Sequence, residues 1–157
     1  MQCYDYLGKV FARTDKSTSY DASTDTNLYR LDASALSHVI SLSGNANDDL
    51  IVGGSNKDTL NGTTGKNTLT GGKGNDVFVH TTGNDIITDY ASGDIISLAA
   101  GESVKAVTTV ESAATNAIDL VFDMGSGTVR VNSAVTYKTN SKGEVVYTPK
   151  KIAIIMR

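Results

Sequence analysis

From Ser43 to Leu98 the apolar and polar positions repeat every nine residues. The successive units read SGNANDDLI, GGSNKDTLN, GTTGKNTLT, GGKGNDVFV, HTTGNDIIT and DYASGDIIS, with Val52 taken as one inserted residue after the first. An apolar column of Leu50, Leu60, Leu69, Phe78, Ile87 and Ile96 stands two places after a column of Asp48, Asp58, Asn67, Asp76, Asp85 and Asp94. Glycines crowd the turn half of each unit: Gly53, Gly54, Gly62, Gly65, Gly71, Gly72, Gly74 and Gly83. A fixed period of this kind marks stacked units, each burying its apolar face against the next.

A unit of about six turn residues and three strand residues makes half a coil, so two units complete one turn of a flattened parallel helix. The pattern therefore predicts an all-β fold whose apolar column points inward and stacks at the ~4.8 Å strand spacing. Alternate units share a side, which puts Asp58, Asp76 and Asp94 together on one and Asp48, Asn67 and Asp85 on the other. Like charges about 5 Å apart repel by roughly 3 kcal/mol at an effective dielectric of about 20, so the stack needs a cation. Calcium suits it, because calcium accepts six to eight oxygens in loose geometry and glycine-rich turns aim carbonyls inward. Magnesium demands a tight octahedron, and a transition metal would want His or Cys, of which the repeat holds only His80.

GGKGNDVFV resembles, at every defined position, the hemolysin-type nonapeptide of the repeat-in-toxin (RTX) family. The strong resemblance covers about a third of the chain, and GNDIITDYASGDIISL resembles the degenerate end of such rolls. It implies a right-handed parallel β-roll flanked by strands and hairpins. It also implies that the sixth-place Asp supplies a carboxylate while carbonyls of the glycine-rich places complete each site between two turns. Carried over residue by residue, this falls on Asp58, Asp76 and Asp85 first, then Asp48 and Asp94, with carbonyls from the eight glycines named above. Asn67 replaces one carboxylate, Asn56 and Thr63 replace two glycines, and HTT and DYA replace two turn starts. About two to four occupied calcium sites are therefore expected, the weakest beside Asn67.

Outside the repeat, residues 1–13 (Tyr4, Tyr6, Val10, Phe11) suggest one strand, and Thr14 to Asn27 a polar loop. Residues 28–42, ending in SHVISLSG, suggest the first coils. Three segments follow: 1–27 as strand and linker, 28–98 as the roll, 99–157 as a β-rich tail. In the tail, SVKAVTTV, AIDLVFDM, GTVRV, AVTYK and EVVYT read as separate strands, with hairpin turns at 125–127 and 140–143 and a last strand in KKIAIIMR.

Fifteen glycines, one proline and no tryptophan fit repeated turns rather than helices. Cys3 is the only cysteine, which excludes an intrachain disulfide. The net charge is −3 with its 14 basic residues scattered, so no nucleic-acid footprint is expected. MQCYDYLGKV lacks the pattern of a secretory signal, and no run approaches the ~18 apolar residues of a spanning helix, so no membrane insertion is expected. His38 and His80 belong to no HExxH helix, and nothing marks Cys3 and His38 as a nucleophile pair. Proteases and lipases of the family carry a large catalytic domain before the roll. The residues ahead of Ser43 are too few for one, so no enzyme activity is expected.

Two functions suit these features. One is a secreted calcium-binding structural protein whose open strand edges join copies head to tail into a filament, surface layer or matrix. The other, implied by the resemblance, is a folding module of a type I secreted protein that orders only on meeting calcium outside the cell.

Overall fold

A computed structural model describes residues 2–5, 10–12, 18–112 and 116–156. Tyr6, residues 14–17 of the polar stretch and Arg157 lie outside the described residues. Every regular element among those described is a strand. In chain order these are β1 (Gln2–Asp5), β2 (Val10–Ala12), β3 (Ser19–Asp21), β4 (Leu28–Asp32), β5 (Ser41–Ser43), β6 (Leu50–Val52), β7 (Thr59–Asn61) and β8 (Lys66–Thr70). They continue as β9 (Val77–His80), β10 (Gly83–Ile87), β11 (Ile95–Leu98), β12 (Ala106–Glu111), β13 (Ala117–Asp123), β14 (Gly127–Thr139), β15 (Val145–Pro149) and β16 (Ala153–Met156).

Successive strands of the repeat fall alternately into two sheets, because six turn residues carry the chain across the roll and three extended ones run along it. One sheet holds β4, β6, β8 and β10 in parallel and the other β3, β5, β7, β9 and β11. Within the repeat the register is eighteen residues, as in Leu60 against Phe78 and Asn67 against Asp85. Before it the coils are longer, with Leu31 against Ile51 and Tyr20 against Leu42. The polar stretch expected as a loop therefore contains a strand, β3.

The core is one ladder of Leu42, Ile51, Leu60, Leu69, Phe78, Ile87 and Ile96, each at most 1% exposed. These residues stand nine apart without interruption, so the reading with Val52 as an insertion is corrected. Ile51, not Leu50, belongs to the ladder, and Asp49, not Asp48, to the acidic column. The slip arises because LIV and DD offer equivalent residues at two neighbouring positions. Burial distinguishes them, since a one-residue shift turns a strand's side chains to the opposite face.

The tail joins the same stack. The first part of β14 lies parallel on β10, with Asp85 against Val129 and Ile87 against Val131, and β16 lies parallel on β11, with Ile96 against Ile154. The Tyr90 hydroxyl fastens β16 by donating to the Asp94 carbonyl at 2.6 Å and accepting from the Ala153 N–H at 2.8 Å. From β14 the first sheet continues as antiparallel β13 and β12, with β15 paired to the far half of β14. The turns expected at 125–127 and 140–143 do connect hairpins.

GTVRV and AVTYK, expected as two strands, are one. β14 runs through both with an irregularity where Ser133 takes a φ of 50°. Asp119 holds that irregularity, accepting the Ser133 N–H at 2.7 Å and the Arg130 Nε at 2.9 Å. Burial pushes the Asp119 carboxyl up, but the Ser133 N–H, the Arg130 guanidinium and the Ser112 hydroxyl outweigh it and hold the group below its ordinary range.

Two predictions follow from this packing. Ile51→Ala should cost about 3 kcal/mol in denaturant unfolding at saturating calcium, whereas Leu50→Ala should cost under about 1 kcal/mol. The reverse order would restore the slipped register. Asp119→Asn should cost about 2 kcal/mol at pH 7, a value reduced because Arg130 is partly exposed. Because the folded carboxyl sits low, that contribution is present above about pH 4 and lost as pH falls through its folded value. The gap between wild type and variant should therefore close in acid.

Candidate metal centre

The turns of the roll stack into two rows. One row, the Asp76 face, contains turns 53–58, 71–76 and 89–94. The other, the Asp85 face, contains turns 44–49, 62–67 and 80–85. Each acidic-column residue sits at the end of its turn and is buried: Asp49, Asp58, Asn67, Asp76, Asp85 and Asp94 are all at most 5% exposed. Their side-chain oxygens bind the turns together along the stack. Asp76 accepts the Asp58 N–H at 2.8 Å, and Asp94 accepts the Asp76 N–H at 2.9 Å. Asp58 accepts the Ile40 N–H at 2.9 Å and the Gly54 N–H at 2.6 Å.

Asp48, expected in the column, is exposed and takes only the Lys66 N–H at 2.7 Å. Its neighbour Asp49 fills the buried place and accepts the Asn45 N–H at 2.8 Å. Unbroken nine-residue spacing would have identified it. Asp89 was also missed, because it occupies a place that is glycine in the better repeats. Its two carboxylate oxygens accept the Gly71 and Gly72 N–H groups, both at 2.8 Å.

The expected glycines divide between the faces. Gly53, Gly54, Gly71, Gly72 and Gly74 lie on the Asp76 face, where the turns approach so closely that side chains are excluded. A Cβ on Gly72 would overlap the Gly54 carbonyl oxygen, and Gly72 has a φ of 92°. A Cβ on Gly53 would overlap the Gly71 carbonyl oxygen and come 2.9 Å from Asp58 Oδ2. Gly62, Gly65 and Gly83 lie on the Asp85 face, with Gly62 against the Asn67 side chain and Gly83 against the Gly65 carbonyl.

Electrostatics on the Asp76 face call for a positive charge. Burial raises the Asp76 carboxyl to about 6, with Asp94, Asp58 and Asp89 adding to the rise against the opposing Asp58 N–H. On the Asp85 face burial likewise raises Asp49 to about 6, against the opposing Asn45 N–H and with Asp48 adding to the rise. Among the described residues no three acidic, His or Cys side chains converge on one point, so an ion here must draw on backbone carbonyls as well. The side-chain-free cradle around the Gly53, Gly54, Gly71 and Gly72 backbone, edged by Asp58 and Asp76, fits that requirement. Its donors are all oxygen, which suits calcium and not a softer metal.

Gly72→Ala should cost more than about 2 kcal/mol at saturating calcium, because the substitution combines a positive φ with overlap of the Gly54 carbonyl. A calorimetric unfolding scan reads this directly, and an unchanged melting temperature would refute the close approach of the two turns.

A family model for the RTX calcium-binding nonapeptide repeat matches in four copies, over residues 41–60 and 52–87. No curated protein and no solved structure matches the chain. The matched span contains the ladder from Leu42 to Ile87, the glycine cradle and every turn of the two rows except 89–94. Residues 41–87 are RTX calcium-binding nonapeptide repeats, and the ion they bind is calcium.

Proposed function

We propose that this chain is an extracellular structural protein whose roll folds on calcium and then joins other copies through its strand edges. The observation that carries the proposal is the Asp58, Asp76, Asp94 row. Three buried carboxylates are stacked in register with Asp89 alongside, and burial already disfavours charge on Asp76. Without a cation the stack opposes itself, and with one it closes, so folding and binding become one equilibrium. The ligands are Asp58, Asp76 and Asp94 with carbonyls of Gly53, Gly54, Gly71, Gly72 and Gly74. Extracellular calcium modules work at about 10⁻⁴ to 10⁻³ M, a range that suits action outside the cell. On this reading residues 28–98 are the calcium-folded unit, and segments 1–27 and 99–157 flank it.

Assembly is supported by the ends of the roll. The six-stranded sheet finishes on β3 at one end and on β16 at the other, and β16 exposes Ile155 and Met156. Edge strands with apolar side chains are templates for adding another strand, and a head-to-tail contact that does not close a ring propagates. A second reading, a capped folding module of a type I secreted protein, is favoured by the pairing of β14 and β16 over the last repeat coils.

Calcium added to chelator-treated protein, followed by far-ultraviolet circular dichroism and light scattering, tests both. β signal should appear in the submillimolar range with calcium and not with magnesium. Scattering that rises with the β signal supports assembly, and a monomer throughout supports the capped module. Full β signal in chelator would refute calcium-dependent folding.

A further inference from the structure

We propose that the roll binds calcium on the Asp76 face only, and that the Asp85 face holds itself together with side-chain hydrogen bonds in place of the ion. The inference rests on the calcium reading above and concerns which of the two rows the metal occupies.

The two faces share one backbone plan and differ in what fills it. On the Asp76 face the second places of the turns are Gly54, Gly72 and Tyr90, so Gly54 and Gly72 bring no hydroxyl to the neighbouring turn, while the Tyr90 hydroxyl donates to the Asp94 carbonyl. On the Asp85 face the same places are Asn45, Thr63 and Thr81. The Thr63 hydroxyl donates to the Asn45 carbonyl, and the Thr81 hydroxyl donates to the Thr63 carbonyl at 2.7 Å. Each threonine thus brings a hydroxyl to a turn carbonyl, whereas the Gly54 carbonyl on the Asp76 face accepts the Lys73 backbone N–H at 3.1 Å and keeps its second lone pair for a cation. Thr63 does so at a φ of 70°, a conformation that β-branched residues avoid, and its N–H is held by Asn61 Oδ1 at 2.9 Å.

The carboxylates differ in the kind of partner they meet: on the Asp76 face Asp58 accepts the Ile40 and Gly54 N–H groups and Asp94 the Asp76 and Ala91 N–H groups, all from the backbone. Asp76 accepts one hydrogen bond, from the Asp58 N–H on Oδ1, and its Oδ2 lies against Gly71. Asp85 has both oxygens engaged by side chains: Oδ1 accepts the Asn67 amide at 2.9 Å, and Oδ2 faces His80 Nδ1 at 2.7 Å. Its neighbours in the stack are Asn67 on one side and Val129 on the other, so no second carboxylate faces it.

His80 replaces the glycine that opens turns 53–58 and 71–76, and its ring fills the space beside Asp85. It is 1% exposed among Leu69, Phe78, Ile87 and Val129, and its Nε2 has no partner. A ring donating from Nδ1 to Asp85 leaves no N–H unpaired, which is the arrangement such apolar surroundings favour. For calcium to enter here it would have to displace two hydroxyls, an amide and an imidazole, all buried or half-buried.

Calcium binding to the full chain, counted by isothermal titration calorimetry with folding checked by circular dichroism, tests this. Asp76→Asn should lower the number of bound ions by at least one and raise the calcium midpoint of folding tenfold or more. Asp85→Asn should leave the ion count unchanged and the midpoint within twofold; loss of an ion from Asp85→Asn overturns the proposal. A second measurement needs no variant. Traces of gadolinium in place of calcium should broaden the amide signals of Gly54 and Gly72 first and those of Thr63 and Thr81 last, and equal broadening overturns it. If the wild-type chain binds no calcium, the calcium reading falls together with the inference. Binding that is lost equally in both variants overturns the one-face assignment alone.

Discussion

Stacking at a fixed eighteen-residue register is the constraint on which the rest of this molecule depends. The register sets Leu42, Leu60, Phe78 and Ile96 in one line and Ile51, Leu69 and Ile87 in another, and the two lines meet as a single dry ladder. The same register sets each sixth-place residue over the one eighteen positions later. Core and carboxylate row are therefore inseparable: the geometry that buries the apolar column also forces Asp58, Asp76 and Asp94 together. A charge that would be harmless on a surface loop becomes costly in that row, and a cation is the direct way to offset it.

The two faces meet this constraint differently. Where the turns carry paired glycines, backbone from adjacent coils comes close enough that carbonyl oxygens and carboxylates share a small space. Where Thr63, Thr81, Asn67 and His80 stand, side chains occupy that space and donate hydrogen bonds into it. On that second face the chain's own donors satisfy the buried polar groups. The tail extends the stack by the same rule, since β14 and β16 pair in parallel with the last repeat strands although their sequence no longer repeats. Among the described residues no helix is long and apolar enough to cross a membrane.

Much of this was legible in the amino-acid sequence. The nine-residue period predicts the parallel roll, the inward column and the division of the acidic residues between two sides, because a period is a statement about geometry that needs no tertiary information. Asp58, Asp76, Asp94 and the paired glycines could be read as candidates for the same reason. The placement of Asp48 and Leu50 failed where the pattern is locally degenerate: two adjacent aspartates and three adjacent apolar residues fit either frame, and only burial separates them.

What the sequence determined by itself is the repeat, its half-coil geometry and a ligand chemistry restricted to oxygen. The tertiary structure alone decided three further matters. It set Asp49 and Ile51 in the stack, because which side of a strand is buried depends on the coils above and below. It merged GTVRV and AVTYK into one strand, the first half on the roll and the second beyond it, with Asp119 and Arg130, eleven residues apart, holding the irregularity at Ser133. It also distinguished the two rows of turns, because whether a carbonyl faces a hydroxyl or a glycine depends on the residue eighteen places away.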